Sequence, residues 1–92
     1  MTTRNQMTNL LAAKFPKLKT IPSEVFDGTK DRIVTGEGSE MPDEMPAFDY
    51  WSQDYKETTY IMGVHKDLVA FLDKHGWYAE AHDPGTYFLS PQ

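Results

Sequence analysis

Acidic and aromatic side chains are concentrated between residues 36 and 57. This stretch carries seven acidic residues and one basic residue, with four aromatic residues in its second half. Carboxylates at this density could act as general acids or bases, or could attract a basic partner that then docks on the aromatic rings. Six of these residues form the predicted partner-binding surface: Glu44, Asp49, Tyr50, Trp51, Asp54 and Tyr55.

Catalysis finds little support among these residues. A pair of catalytic carboxylates needs a cleft that fixes their separation, and a chain of 92 residues seldom forms one. The serines occur outside nucleophile-elbow patterns, which argues against a hydrolase triad. The segment Gly36-Glu37-Gly38 is a fragment of a phosphate-binding pattern, but the acids around it repel phosphate. We therefore expect a binding protein and not an enzyme.

The three histidines do not have the spacing of a metal site. His65 and His75 are roughly two and a half helical turns apart on one predicted helix, so they cannot share an ion. Both fall at the edges of the apolar face of that helix, and His75 suits the helix end. His82 is next to Asp83, and one such neighbour is a weak signal. We expect no metal and no other cofactor.

The first third of the chain is basic, in contrast to the acidic stretch. Lys14, Lys17 and Lys19 form a second candidate patch, which could contact phosphates. The whole chain is nevertheless acidic, with a net charge of −5, and lacks the familiar nucleic-acid recognition motifs. We therefore do not expect binding to free DNA or RNA. A partner made of protein and bound RNA would suit both signs of charge, whereas solvated surface charge is the simplest alternative.

The elements that must position these residues begin with a helix. Thr3-Arg4-Asn5-Gln6 fits a capping box, and the apolar spacing that follows predicts a helix over Arg4–Phe15. Two short extended segments are predicted near Glu24–Phe26 and Arg32–Thr35, joined by a turn. The segment Gly36–Pro46 is rich in glycine and proline, which predicts a long loop.

The second half of the chain has clearer patterns. Ala47–Ser52 and Thr58–Val64 are rich in aromatic and β-branched residues, which predicts a hairpin with a five-residue connection. His65–His75 has the amphipathic pattern of a second helix. Trp77–His82 and Thr86–Ser90 flank an Asp-Pro-Gly turn signal and form a second predicted hairpin.

These elements predict one α+β domain spanning residues 1–92. The expected architecture is an antiparallel sheet of about four to six strands with two helices packed on it, in the order α-(β-β)-β-β-α-β-β. The chain has no cysteine, which favours a reducing cytoplasm. The longest apolar run, Leu68–Leu72, is too short to cross a bilayer, and no signal peptide is visible, so we expect no contact with a membrane.

Four segments resemble small proteins encoded by bacteriophages and prophages. They are Phe48-Asp49-Tyr50, Gly63-Val64-His65-Lys66, Gly76-Trp77-Tyr78-Ala79-Glu80 and Asp83-Pro84-Gly85-Thr86, and the stretch from Ala47 to Ser90 that contains them covers about half of the chain. Small, acidic, cysteine-free phage proteins include anti-CRISPR inhibitors, and this chain is similar in length and charge to inhibitors of type I effector complexes. The resemblance implies a stoichiometric blocker that occupies a host protein surface. Because anti-CRISPR families share few motifs, the resemblance assigns no site residue.

The resulting hypothesis is a phage-borne inhibitor in the host bacterial cytoplasm. It would bind a host protein or ribonucleoprotein complex, such as a type I CRISPR effector, and sterically prevent nucleic-acid target binding. One alternative is a small ligand-binding domain or enzyme that uses the aromatic hairpins and His82. Another is a virion or assembly component, which self-association would support.

Overall fold

A computed structural model describes residues 2–36, 38–49 and 60–92 of the chain. In chain order the elements are α1 (Arg4–Lys14), β1 (Ile21–Pro22), α2 (Ser23–Phe26), β2 (Ile33–Gly36), β3 (Tyr60–Ile61), β4 (Val64–His65), α3 (Lys66–Lys74), β5 (Trp77–Asp83) and β6 (Thr86–Pro91). The predicted α+β class is confirmed: helices pack with an antiparallel sheet of four strands and a separate sheet of two.

The two longer helices begin and end close to where the sequence predicts. The Thr3 hydroxyl accepts from the Gln6 backbone N–H, and the Gln6 side chain accepts from the Thr3 N–H, so the capping box of α1 is present. Pro16 lies just beyond its end. Helix α3 carries Asp67 in its first turn, which suits the helix dipole, and Gly76 beyond its end adopts a left-handed φ of 75°.

The four-stranded sheet has the order β1-β2-β6-β5, with every neighbouring pair antiparallel. The predicted C-terminal hairpin is confirmed as β5 and β6. Strand β2 pairs along the other side of β6, with Ile33 opposite Leu89. The end of β2 passes so close to the β5–β6 turn that a Cβ on Gly36 would be 2.2 Å from the Gly85 carbonyl oxygen.

One face of this sheet packs against α1, α3 and the irregular segments to form the main core. Trp77, Ile33 and Leu89 contribute from the sheet, and Leu11 and Leu68 contribute from the helices. Of the apolar residues at helical spacing in this segment, Met7, Leu11 and Phe15 are buried, but Leu10 is 36% exposed. No helix among residues 2–36, 38–49 and 60–92 combines the length and apolar character that a membrane crossing needs.

Two predicted strands are wrong. The segment predicted as extended near Glu24–Phe26 belongs to the short helix α2, because the Ser23 hydroxyl bonds to the Thr29 carbonyl and accepts from the Arg32 N–H. The predicted strand Thr58–Val64 is also broken, since Met62 (φ 53°) and Gly63 make the turn between β3 and β4.

The predicted hairpin that would pair Ala47–Ser52 with Thr58–Val64 is described only in part. Residues 47–49 are not a strand, although Phe48 forms a single antiparallel bridge with Val64. Residues 50–59, which include most of the predicted aromatic surface, lie outside the described residues.

Candidate functional site

The described part of the acidic stretch is a folded loop. We call residues 38–49 the acidic loop. Within it, the Met41 N–H donates to the Met45 carbonyl at 2.8 Å, and the Ala47 N–H donates to the Ser39 carbonyl at 3.0 Å. Met41 and Ala47 are buried in the main core. The chain therefore turns back on itself and leaves residues 42–45 as a protruding tip.

Of the predicted contact residues, the acidic loop contains two. Glu44 is exposed at the tip and has a φ of 69°, a left-handed backbone that a glutamate seldom adopts. Asp49 is half-buried, and its N–H donates to the Gly63 carbonyl at 2.8 Å. The other four predicted contact residues, Tyr50, Trp51, Asp54 and Tyr55, lie outside the described residues.

A buried histidine ties the tip of the acidic loop to α3. His65 is 1% exposed, and its Nε2 is 3.0 Å from the Asp43 carboxylate. Its Nδ1 accepts from the Asp67 backbone N–H at 3.1 Å, so His65 is the N-cap of α3. Because Nδ1 is the acceptor, the proton of the neutral ring is on Nε2, which donates to Asp43.

The surroundings of this contact shift two pKa values. The Met45 backbone N–H, and to a smaller extent His65, donate to the Asp43 carboxylate and lower its pKa from the usual 3.8. Burial raises the pKa of the Tyr60 hydroxyl, and the charges of Asp49 and Asp43 raise it further. The Tyr60 hydroxyl donates to the Pro46 carbonyl at 2.9 Å, which gives the acidic loop another fixed point.

The sequence pattern did not predict this contact. The amphipathic pattern predicts that His65 lies within the helix at the edge of its apolar face, whereas the helix begins one residue later and His65 caps it from a buried position. The order His65-Lys66-Asp67 carries a local signal, since a polar acceptor directly before a helix with an acid in its first turn is typical of a cap. No local signal identifies Asp43 as the partner, because 22 positions separate it from His65.

Asp43, His65 and Asp67 also resemble a metal-ligand set, which the histidine spacing did not predict. One donor atom from each falls within 4.8 Å of the others. A metal ion needs a ring nitrogen with a free lone pair, but Nδ1 accepts from the Asp67 N–H and Nε2 donates its proton to Asp43. Ligation by His65 would break either the helix cap or the contact with the loop. The arrangement therefore favours a structural role.

The second candidate patch lies beside the acidic loop. Lys14, Lys17 and Lys19 are all exposed. The Lys17 ammonium is 3.7 Å from the Glu40 carboxylate, and the Glu40 N–H donates to the Lys17 carbonyl. The buried Ser39 hydroxyl accepts from the Lys19 N–H at 2.9 Å. The two predicted patches, separate in sequence, therefore adjoin.

A groove of about 490 Å³ runs where α1, the tip of the acidic loop and α3 meet. Its walls are apolar at Phe15 and Phe71, whose rings are in edge contact at 5.2 Å. Residues of both charges line the groove, with Lys14 on α1 and Asp43 on the acidic loop. A surface of this composition suits a partner that itself presents both signs of charge.

His82, the candidate for a ligand-binding alternative, lies elsewhere. It projects from β5, and its ring makes edge contacts with Phe26 at 5.8 Å and Phe88 at 5.2 Å. Phe88 is buried there beneath the Arg32 guanidinium, so these rings act mainly in packing. Trp77 is part of the main core, and Phe48 packs against that core.

In comparisons with known proteins, no family model matches the sequence, and no match was found among curated proteins or solved structures.

Proposed function

We propose that this protein binds a macromolecular partner through the acidic loop and the adjoining lysine patch (Lys14, Lys17 and Lys19). The observation that carries the proposal is that these two oppositely charged patches meet along one surface, joined at Ser39 and Glu40. A contact that excludes water needs a defined shape on at least one side, and the core anchors of the loop supply it.

The partner that best suits this surface is a ribonucleoprotein. Acidic side chains at the tip attract a basic protein surface, while lysines beside them suit RNA phosphates. The mechanism is steric: the domain occupies the position at which a nucleic-acid target docks. The resemblance to small phage-encoded inhibitors makes a type I CRISPR effector complex the first candidate partner.

The first experiment measures target binding by a purified type I effector complex with and without this protein. The expected result is a stable complex between the two and loss of binding to target DNA. An effector complex that neither associates with this protein nor loses DNA binding would remove the inhibitor hypothesis for that system. Affinity capture from a host lysate with mass spectrometry then identifies the actual partner.

The binding surface itself is tested by two matched neutralisations. Glu44→Gln removes a charge from the loop tip, and Asp31→Asn removes one from the turn before β2; both residues are exposed and have left-handed φ values of 69° and 65°. Glu44→Gln should slow association with the captured partner roughly two- to five-fold and weaken its salt dependence. Asp31→Asn should leave association unchanged, and equal effects of both would place the contact elsewhere.

The RNA part of the proposal is tested with Lys14→Ala and Lys19→Ala, which change two exposed side chains. Both variants should weaken binding to the intact ribonucleoprotein. They should have little effect on binding to the same partner after ribonuclease treatment. Equal losses before and after treatment would assign the lysines to a protein contact and contradict the RNA contact.

A further inference from the structure

Strand β5 is an edge of the four-stranded sheet: among the described residues, no strand pairs with its outer side. The Gln92 N–H donates to the Gly76 carbonyl at 2.8 Å, which marks these residues as a hydrogen-bonded pair. In an antiparallel ladder such pairs alternate, so Tyr78 and Glu80 bond to β6 while the backbones of Ala79 and Ala81 face outward.

Within the part of the chain that the structure describes, Gln92 covers the beginning of this edge. The Gln92 side chain donates to the Trp77 carbonyl at 3.2 Å, which occupies the first outward-facing acceptor. Gly76, which precedes β5, has no side chain that could obstruct a chain at this edge. Ala79 and Ala81, the next two outward positions, have small side chains that leave room for another backbone. The middle of β5 therefore offers N–H and C=O groups in the spacing that an extended chain satisfies.

An apolar groove of about 310 Å³ borders this edge. One wall is β5 with Tyr78 and Ala79, and the opposite wall is α3 with Val69 and Ala70. The β3–β4 turn closes one side with Met62, which is 89% exposed and held at a φ of 53°. A strand added to β5 would point alternate side chains toward this groove, because successive side chains in a strand face opposite sides.

The charges around the groove indicate what kind of chain fits. Asp73 lines it, and Glu80 and Asp83 are exposed along β5, against one lysine, Lys66. A second copy fits poorly, since each chain carries a net charge of −5 and pairing about a two-fold axis at Glu80 would set two glutamates opposite each other. A basic peptide has the complementary charge.

We propose that the edge of β5 and the groove beside α3 bind an extended peptide segment of a partner by strand addition. The peptide places a large apolar side chain in the groove and carries lysine or arginine near it. This site uses neither the acidic loop nor the lysine patch, so it goes beyond the proposed function and does not depend on it.

The experiment begins with selection from a displayed library of random peptides of about eight residues, long enough to span an average strand. Selected sequences should share one large apolar residue with flanking lysine or arginine. A synthetic peptide of the consensus sequence is then scanned by N-methylation. Affinity should fall at every second position, since alternate N–H groups face β5. Losses of affinity that do not alternate along the peptide would contradict strand addition.

Two variants of the protein test the site directly. Ala79→Pro removes an outward-facing N–H and spares the hydrogen bonds to β6. It should lower the affinity for the peptide about ten-fold, as expected for the loss of one hydrogen bond. Ala70→Trp fills the groove from the exposed face of α3 and should abolish binding. Ala12→Trp on the exposed face of α1 is the matched control and should bind as wild type.

Three outcomes would overturn the proposal. One is peptide binding that Ala79→Pro and Ala70→Trp both leave intact while circular dichroism shows them folded. Another is self-association of the wild-type protein that Ala79→Pro removes, which would make a second copy the occupant. The last is peptide selection that succeeds only after residues 50–59 are replaced by a glycine-serine linker, which would assign the groove to the chain itself. Loss of peptide binding leaves the Glu44→Gln result unaffected, so the two proposals fail separately.

Discussion

The acidic loop and the α3–β5–β6 unit (residues 66–91) have defined backbones for different reasons. In the α3–β5–β6 unit, neighbouring residues supply the structure: Gly76 ends the helix in a left-handed conformation, and the Asp83 side chain accepts from the Gly85 N–H within the turn. In the acidic loop, distant residues supply it, through His65 at the tip and Lys19 at the base.

This difference has a consequence for function. Apart from Asp43, which contacts His65, the exposed positions at the tip of the acidic loop can change their side chains with little effect on the core, since Met41 and Ala47 anchor the loop there. The α3–β5–β6 unit has less freedom, because Leu68, Leu72 and Trp77 are part of the main core. Surface that can vary while its shape persists is well suited to contact with a partner.

The largest expected effect comes from His65→Ala, because His65 joins the two regions. The variant loses the N-cap of α3 and the donor to Asp43, and it leaves a cavity beside Tyr60. We expect the free energy of unfolding to fall by about 3 kcal/mol, of which about 1 kcal/mol is the lost cap. Urea denaturation measures the total, and amide exchange shows whether the acidic loop opens first.

His75→Ala is the matched control at the other end of α3. His75 is the C-cap, half-buried, with its ring tilted against Phe71 at 4.8 Å. Because its side chain makes no contact with the acidic loop among the described residues, we expect a loss below about 1 kcal/mol and unchanged exchange in the loop. Equal losses for the two histidine variants would contradict the special role of His65.

A smaller and more local effect is expected from Ser39→Ala. The Ser39 hydroxyl is buried, accepts from the Lys19 N–H and is 3.2 Å from the Thr35 hydroxyl. Removing it leaves a partly buried N–H without its acceptor, which costs about 1–2 kcal/mol. We expect faster amide exchange in the acidic loop and unchanged exchange in the α3–β5–β6 unit. Thr8→Ala, which removes an exposed hydroxyl from α1, should change stability by less than about 0.5 kcal/mol.

The same division explains which elements could be predicted from the sequence. Helix α1, helix α3 and the β5–β6 hairpin follow from capping residues, apolar spacing and a turn signal within each segment. The segment around Val25 has strand-like composition, yet it is helical because Ser23 bonds across to Thr29 and Arg32. Gly63, inside a strand-like pattern, was the available sign of the β3–β4 turn.

The candidate surface could be predicted only by its composition. The acids and lysines were identifiable as two patches, but their adjacency depends on contacts between segments about 20 positions apart, such as the Lys19 N–H to Ser39. Neither residue type nor local spacing encodes such a pairing. The same holds for Asp43 and His65, where a buried imidazole meets a carboxylate across the core boundary.

The smallest expected effect concerns the pH dependence of stability at Asp43. Its pKa is lower in the folded protein than the usual 3.8, so its contribution to stability is present above pH 3.8 and is lost as pH falls through the lowered value. Asp43→Asn should therefore be less stable than wild type near neutral pH, and the difference should shrink on acidification. Urea midpoints of both proteins between about pH 7 and pH 2.5 measure this.

The His65→Ala background separates the two causes of the lowered pKa. The Met45 N–H is the larger cause and is local, two residues away, whereas His65 is the smaller and distant one. If the tip of the acidic loop keeps its shape without His65, adding Asp43→Asn to that background should still produce a pH-dependent loss of stability, smaller than in the wild-type background. If Asp43→Asn caused no pH-dependent loss of stability in the His65→Ala background, the conformation of the tip would depend entirely on His65. Local hydrogen bonds, such as that from the Met45 N–H to Asp43, would then form only after His65 contacts Asp43.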